Sequence, residues 1–160
     1  MPQPEAVIAA LRERGLTIAT AESLTGGALC SALVTVPGAS AVVRGGIVAY
    51  TADVKARLLG VDPDAIREHG VVSAEVAEAM ARGARDATGA SIGVATTGVA
   101  GPASHDGAPV GTVHLAVAGP TRVLRMHHNL TGDRAAVRAG AVDSALAAVL
   151  EALAQDVVAG

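Results

Sequence analysis

Short runs of small and β-branched apolar residues alternate along this chain with segments of helical period, and that alternation restricts it to an α/β architecture. Pro4 to Arg14 carries apolar residues at helical spacing and stops at Gly15, a residue suited to a helix end. Thr17 to Glu22 reads as a buried strand, and Gly26 to Val36 returns to helical spacing before the breaker "VPGAS". The run "GGIVAY" predicts a second strand, followed by a helix over Ala52 to Leu59 capped by Thr51, with Asp53 in its first turn. Pro63 opens a short helical turn, and Ser73 caps the amphipathic "AEVAEAMARGARDA", which ends at Gly89. "SIGVATT" predicts a third strand and "GVAGPASHDGAPVG" an irregular loop. "TVHLAVA" and "RVLRMHH" are expected to pair as a hairpin through Gly119 and Pro120, before a long helix that begins near Asp133. The expected fold is a three-layer α/β/α sandwich whose mostly parallel sheet carries one antiparallel strand.

Composition bears on how such layers can pack. Half of the residues are apolar, yet there is no Phe and no Trp, and Tyr50 is the single tyrosine. The core must therefore be assembled from Ala, Val, Leu and Ile with closely approaching backbones. At 160 residues, one domain spanning 1–160 is expected. A net charge of −3 with scattered basic residues argues against nucleic acid as a partner. With one cysteine, Cys30, no intramolecular disulfide is possible. No charged-then-apolar leader and no long apolar span is seen, so a cytoplasmic location without membrane contact is expected.

In an open α/β sheet, ligands bind beyond the carboxyl ends of the parallel strands, where Ser23, Tyr50 and Thr97 all fall. Ser23 also precedes a helix, so the N–H groups of Leu24, Thr25 and Gly26 could receive an oxyanion. The same serine could instead act as a helix cap, with the glycines serving the turn. Lys55 lies one turn into the helix after Tyr50, from where its amine could fold back as a base or remain a solvated surface charge. Arg134 and Arg138 share one helical face, ready for a phosphate or for solvent. His105, His114, His127 and His128 offer no metal-ligand spacing, and no cofactor is expected.

Seven motifs then occur in a familiar order: "TAESLTGG", "VPGAS", "GGIVAYTADVKARLLGV", "GVVSAEVAEAMARGAR", "TTGVAGP", "PVGTVHLAV" and "GDRAAVR". Together they cover nearly the whole chain and resemble the CinA C-terminal domain family, the nicotinamide-nucleotide amidases. The resemblance implies a fold similar to the anticodon-binding-domain sandwich, homo-oligomers, and a small nucleotide as substrate. It implies metal-free hydrolysis of the carboxamide of nicotinamide mononucleotide to nicotinate mononucleotide and ammonia. Position by position, it makes Ser23 the nucleophile and Tyr50 and Lys55 its activators. Glu22, Thr25, Gly26 and Gly27, together with Thr97, Gly98, Ala100 and Gly101 of the "TG-AGP" loop, become substrate-site residues. Arg138, and with less force Arg134, falls near the nucleotide phosphate. The sequence departs from the family at Leu24, where Cys is frequent, at Ser91, where an aspartate is usual, and over Ala103 to Ala108, which replaces a glycine-rich run with a lysine. That altered loop keeps open a non-catalytic nucleotide-binding or competence-associated module, and an amidase for another small carboxamide is a second alternative.

Overall fold

In the computed structural model, which describes residues 4–157, five strands form one mixed sheet: β1 (Ile18–Glu22), β2 (Val43–Val48), β3 (Ile92–Gly98), β4 (Thr112–Ala118) and β5 (Val123–Asn129). Their order is β2-β1-β3-β4-β5. β1 pairs in parallel with β2 and β3, whereas β4 is antiparallel to both of its neighbours. Four strands thus run one way and β4 alone runs the other, as the hairpin at Gly119 and Pro120 requires. The expectation of a single domain over 1–160 extends to residues 1–3 and 158–160, which lie outside the described residues.

Helices cover both faces. α1 (Pro4–Arg14), α2 (Ala28–Val34) and α6 (Arg134–Ala154) share a core with Ile18, Ile92, Val94, Val113, Leu115 and Val117. α3 (Ala52–Leu59), α4 (Pro63–His69) and α5 (Ala74–Thr88) cover the opposite face, whose strand residues are Ala19, Ala21, Ala95, Ala116 and Ala118. Strand side chains alternate between faces, so the division follows directly from large and small residues alternating in sequence. It is a three-layer sandwich with one bulky and one very thin packing layer. A Cβ on Gly93 would sit 1.9 Å from the carbonyl oxygen of Ala81, and one on Gly83 would sit 2.0 Å from that of Leu59. α5 therefore lies almost backbone to backbone on β3 and α3, which is how a chain without Phe or Trp fills its interior.

Most caps are where the sequence puts them. Ser73 Oγ accepts from Val76 N at 3.2 Å, Asp133 Oδ1 accepts from Ala136 N at 2.9 Å, and Gly89 closes α5 at φ 68°. Thr51 stands at the start of α3 but makes no cap bond; its hydroxyl donates to Asp53 Oδ1 at 2.6 Å instead. α2 begins at Ala28, two residues later than expected, because Gly26 and Gly27 adopt φ 59° and 101° and turn the chain before it can coil. The second strand starts two residues earlier than expected and ends at Val48, so Tyr50 stands beyond it. Ser91 exchanges bonds with Thr17, at 3.0 Å from Thr17 N and 2.9 Å to Thr17 Oγ1, and these tie the starts of β1 and β3. Among the described residues no helix is long and apolar enough to cross a membrane.

Candidate active site

β1 and β3 end side by side, and the turn after β1 places Ser23 in a cleft of about 360 Å³ with Tyr50, Lys55, Thr97, Gly98 and Arg134. That volume falls within the range of about 300–1,000 Å³ usual for small-molecule sites. A larger, more open depression of about 760 Å³ lies between α3 and α4, but it holds no nucleophile beside a base. The smaller cleft is the one that sets a hydroxyl beside an amine.

Lys55 is buried, with 1% of its surface exposed, and bends back from α3 toward the strand ends. Its Nζ lies 2.9 Å from Ser23 Oγ, 2.8 Å from Ala49 O and 3.3 Å from Tyr50 O. Burial, which disfavours the charged form, pulls its pKa down to about 8. The geometry suits both protonation states. An ammonium donates to all three oxygens, whereas a neutral amine gives its two N–H bonds to the carbonyls and turns its lone pair to the Ser23 hydroxyl. The bland reading of Lys55 as a solvated helix residue is thereby excluded.

Ser23 is not a helix cap, since α2 starts beyond it and its hydroxyl faces Lys55. Of the three N–H groups expected to be free, that of Gly26 is already spent on Ser23 O at 3.1 Å. Those of Leu24 and Thr25 have no partner among the described residues. They remain unspent beside Ser23.

Tyr50 contributes differently from expectation. Its carbonyl orients Lys55, while its exposed hydroxyl accepts from Arg134 Nη2 at 3.2 Å and touches neither Ser23 nor Lys55. Arg134 also donates to Gly101 O at 2.7 Å. The N–H groups of Ala100 and Gly101 are without partners among the described residues, so with Arg134 they form a donor-rich wall. Thr97 lines the cleft while donating to Val71 O at 2.8 Å.

Five other expected site residues do not face the cleft. Glu22 is fully buried; its carboxylate accepts from the N–H of Gly27, Leu29 and Cys30 at 3.2, 2.8 and 3.0 Å and from Thr20 Oγ1 at 3.2 Å. It anchors the start of α2 and is out of reach of a substrate. Thr25 is likewise buried, 2.7 Å from Thr96 Oγ1, and Gly26 and Gly27 serve the turn. Arg138 stands outside the cleft, donating to Leu24 O at 2.9 Å and Thr25 O at 3.1 Å.

Sequence reasoning missed the carbonyls of Ala49 and Tyr50, which no side-chain pattern could signal. It also left open what the altered loop does. His105 and Ala108 bond each other reciprocally across Asp106 and Gly107, both at positive φ, and this tight turn brings His105 to the rim of the cleft. The dipeptide "DG" carried that signal. Among the described residues no group of three or more His, Cys, Asp or Glu could hold a metal ion.

A family model described as "CinA C-terminal domain" matches residues 2–153. A CinA-like protein of Frankia casuarinae is 49% identical over 148 residues, covering 92% of this chain and 34% of that protein. The chain spans about a third of the length of the curated relatives it matches. Among solved structures, a competence-damaged protein (CinA) superfamily protein from Klebsiella pneumoniae superposes with a TM-score of 0.92 at 36% identity, covering 95% of this chain and 96% of that one. A competence/damage inducible protein from Agrobacterium tumefaciens gives 0.88 at 39% identity, over 95% and 93% of the two chains.

Proposed function

The chain belongs to the CinA C-terminal domain family, and from that premise we propose that it is a serine amidohydrolase acting on the carboxamide of nicotinamide mononucleotide. The observation that carries the reading is the buried contact of 2.9 Å between Lys55 Nζ and Ser23 Oγ, with two carbonyls holding the amine. A buried lysine lowered toward neutrality beside a hydroxyl is an expensive arrangement, and nucleophile activation explains it.

An amide is a poor electrophile, so each proton transfer needs a positioned group. Neutral Lys55 takes the Ser23 proton as Oγ attacks the carboxamide carbon. Negative charge builds on the carbonyl oxygen beside the N–H groups of Leu24 and Thr25. Lys55, now an ammonium, returns its proton to the departing nitrogen, the C–N bond breaks and ammonia leaves an ester on Ser23. Water then attacks that ester, giving its proton to Lys55, and the nicotinate product departs as Oγ is reprotonated. One amine serves both half-reactions, a lysine variant of the serine-histidine logic.

The donor wall of Arg134, Ala100 and Gly101 suits an anion, which supports a phosphate-bearing substrate. The test is direct: purified protein is incubated with nicotinamide mononucleotide, nicotinamide riboside and a panel of simple carboxamides, and ammonia is measured. Release from the mononucleotide, lost in Ser23→Ala, is the expected result. No release from any carboxamide sinks the reading, and a preference for another amide corrects the substrate.

A further inference from the structure

Arg138 projects from the first turns of α6 and is half-buried against the loop that carries Ser23. Its Nε donates to Leu24 O at 2.9 Å and its Nη2 to Thr25 O at 3.1 Å. An arginine fork fixes two acceptors at once in a set geometry, which a flexible ammonium does not do. The direction of those carbonyls matters because a trans peptide is planar. A carbonyl drawn toward Arg138 sends the following N–H the opposite way. Holding Leu24 O therefore sets the direction of the Thr25 N–H, one of the two free donors beside the nucleophile. Holding Thr25 O sets the Gly26 N–H, which closes the turn onto Ser23 O at 3.1 Å.

The other flank of the loop is gripped by Glu22, whose carboxylate takes the N–H groups of Gly27, Leu29 and Cys30. Between the two grips, Ser23 to Thr25 belong to neither strand nor helix. Backbone bonds hold the two ends of this stretch, Ser23 N donating to Thr96 O at 3.0 Å and Ala28 N to Thr25 O at 3.0 Å, whereas Leu24 O has no partner but Arg138 among the described residues.

We infer that Arg138 is a positioning residue for the hydrolysis, holding the Leu24 and Thr25 peptides so that the donors beside Ser23 stay aimed at the developing oxyanion. The inference rests on the amidase reading, and it replaces the phosphate role that family resemblance gives this arginine. Arg138 itself lies outside the cleft with two donor atoms committed to loop carbonyls, and is placed to act through the loop.

The test compares wild type with Arg138→Met, which keeps the aliphatic bulk, and Arg138→Lys, which reaches one carbonyl at a time. Each is assayed on nicotinamide mononucleotide and nicotinamide riboside. Each is also exposed to a fluorophosphonate, which forms a bond from Ser23 Oγ to phosphorus, expels fluoride and leaves the serine proton on Lys55; intact mass reads the rate. Arg138→Met should lower kcat by about tenfold to a hundredfold on both substrates, with KM changed less than about threefold. Labelling of Ser23 should slow in parallel, and Arg138→Lys should recover part of both. A KM raised for the mononucleotide alone with kcat kept, or labelling at the wild-type rate in Arg138→Met, overturns the inference. If the methionine variant does not fold, Arg138→Lys and Arg138→Gln decide by the same criteria. The labelling arm separates the two ideas: a wild type that labels at Ser23 but releases no ammonia refutes the amidase reading while the variants still judge Arg138. A wild type that never labels refutes both.

Discussion

Lys55→Met should silence turnover while costing the fold little near pH 7, and the buried amine sets the size of both effects. Lys55 is 1% exposed, and burial lowers its pKa from 10.5 to about 8. Below about pH 8 both folded and unfolded chains hold the proton, so the native state bears the full penalty of a buried charge. Between about 8 and 10.5 the unfolded chain keeps a proton that the native amine has lost, so stability rises with pH; above that window both are neutral and the penalty is gone. At about 1.4 kcal/mol per pH unit the window amounts to about 3 kcal/mol. Methionine removes that term but strands the carbonyls of Ala49 and Tyr50, at about 1 kcal/mol each. The variant should therefore lie within about 2 kcal/mol of wild type at pH 7 and lack the wild-type rise between pH 8 and 10.5. Urea unfolding across that range measures both. In the wild type, kcat/KM should fall about tenfold per unit below pH 8, because only the neutral amine is a base. A rate limb in the ordinary lysine range, or a methionine variant that keeps the same pH slope of stability, would refute the reasoning.

Ser23→Ala should lower turnover at least about a thousandfold while leaving the unfolding midpoint nearly unchanged, since it deletes one oxygen at a turn; activity near wild type ends the acyl-enzyme scheme. Arg134→Ala should raise KM for the mononucleotide on the order of tenfold and leave the riboside almost untouched, steady-state kinetics on the pair being the measurement. Equal changes on both would place the phosphate elsewhere. Glu22→Gln should destabilise the protein by about 2–3 kcal/mol in urea unfolding, because an amide nitrogen would face a backbone N–H in a buried site. A stable and fully active Glu22→Gln enzyme would show that the carboxylate grip is dispensable.

The layers were legible because side-chain size alternates along the central strands: Ile18, Ala19; Val94, Ala95; Leu115, Ala116. Period two places one set on the α6 side and the other under α5. Ser23 and Lys55 were legible as a pair only by motif, because their meeting depends on how α3 packs over the ends of β1 and β2. Helix periodicity carries no such long-range term. Arg134 and Arg138 show the limit more sharply. Four residues apart on one helical face, they look equivalent in sequence, yet one reaches the cleft wall and the other reaches the backbone behind it. Their separation comes from the Leu24 turn lying under the first turns of α6, a contact over 114 residues of chain that local pattern cannot encode. Family resemblance makes Glu22 a site residue together with its neighbour Ser23, but the structure turns it the other way. Adjacency in a strand means opposite faces.

That last point explains why the acid and the serine are neighbours at all. Side chains alternate along β1, so Glu22 follows Ile18 and Thr20 onto the α2 side, where its carboxylate takes the free N–H groups at the start of α2. The next residue leaves the strand on the other side, toward α3, where Lys55 waits with its two carbonyls. A single residue step thus converts an anchor into the proposed nucleophile, and a carboxylate suits the anchor because three N–H groups converge on its acceptor oxygens. The glycines complete the arrangement: the left-handed turn at Gly26 and Gly27 brings the chain back quickly enough for Leu29 and Cys30 to reach the same carboxylate. One extra residue between Glu22 and Gly26 would move Ser23 away from Lys55 or Leu29 away from Glu22. The spacing of "ESLTGG" is therefore set by geometry on both faces of the sheet at once.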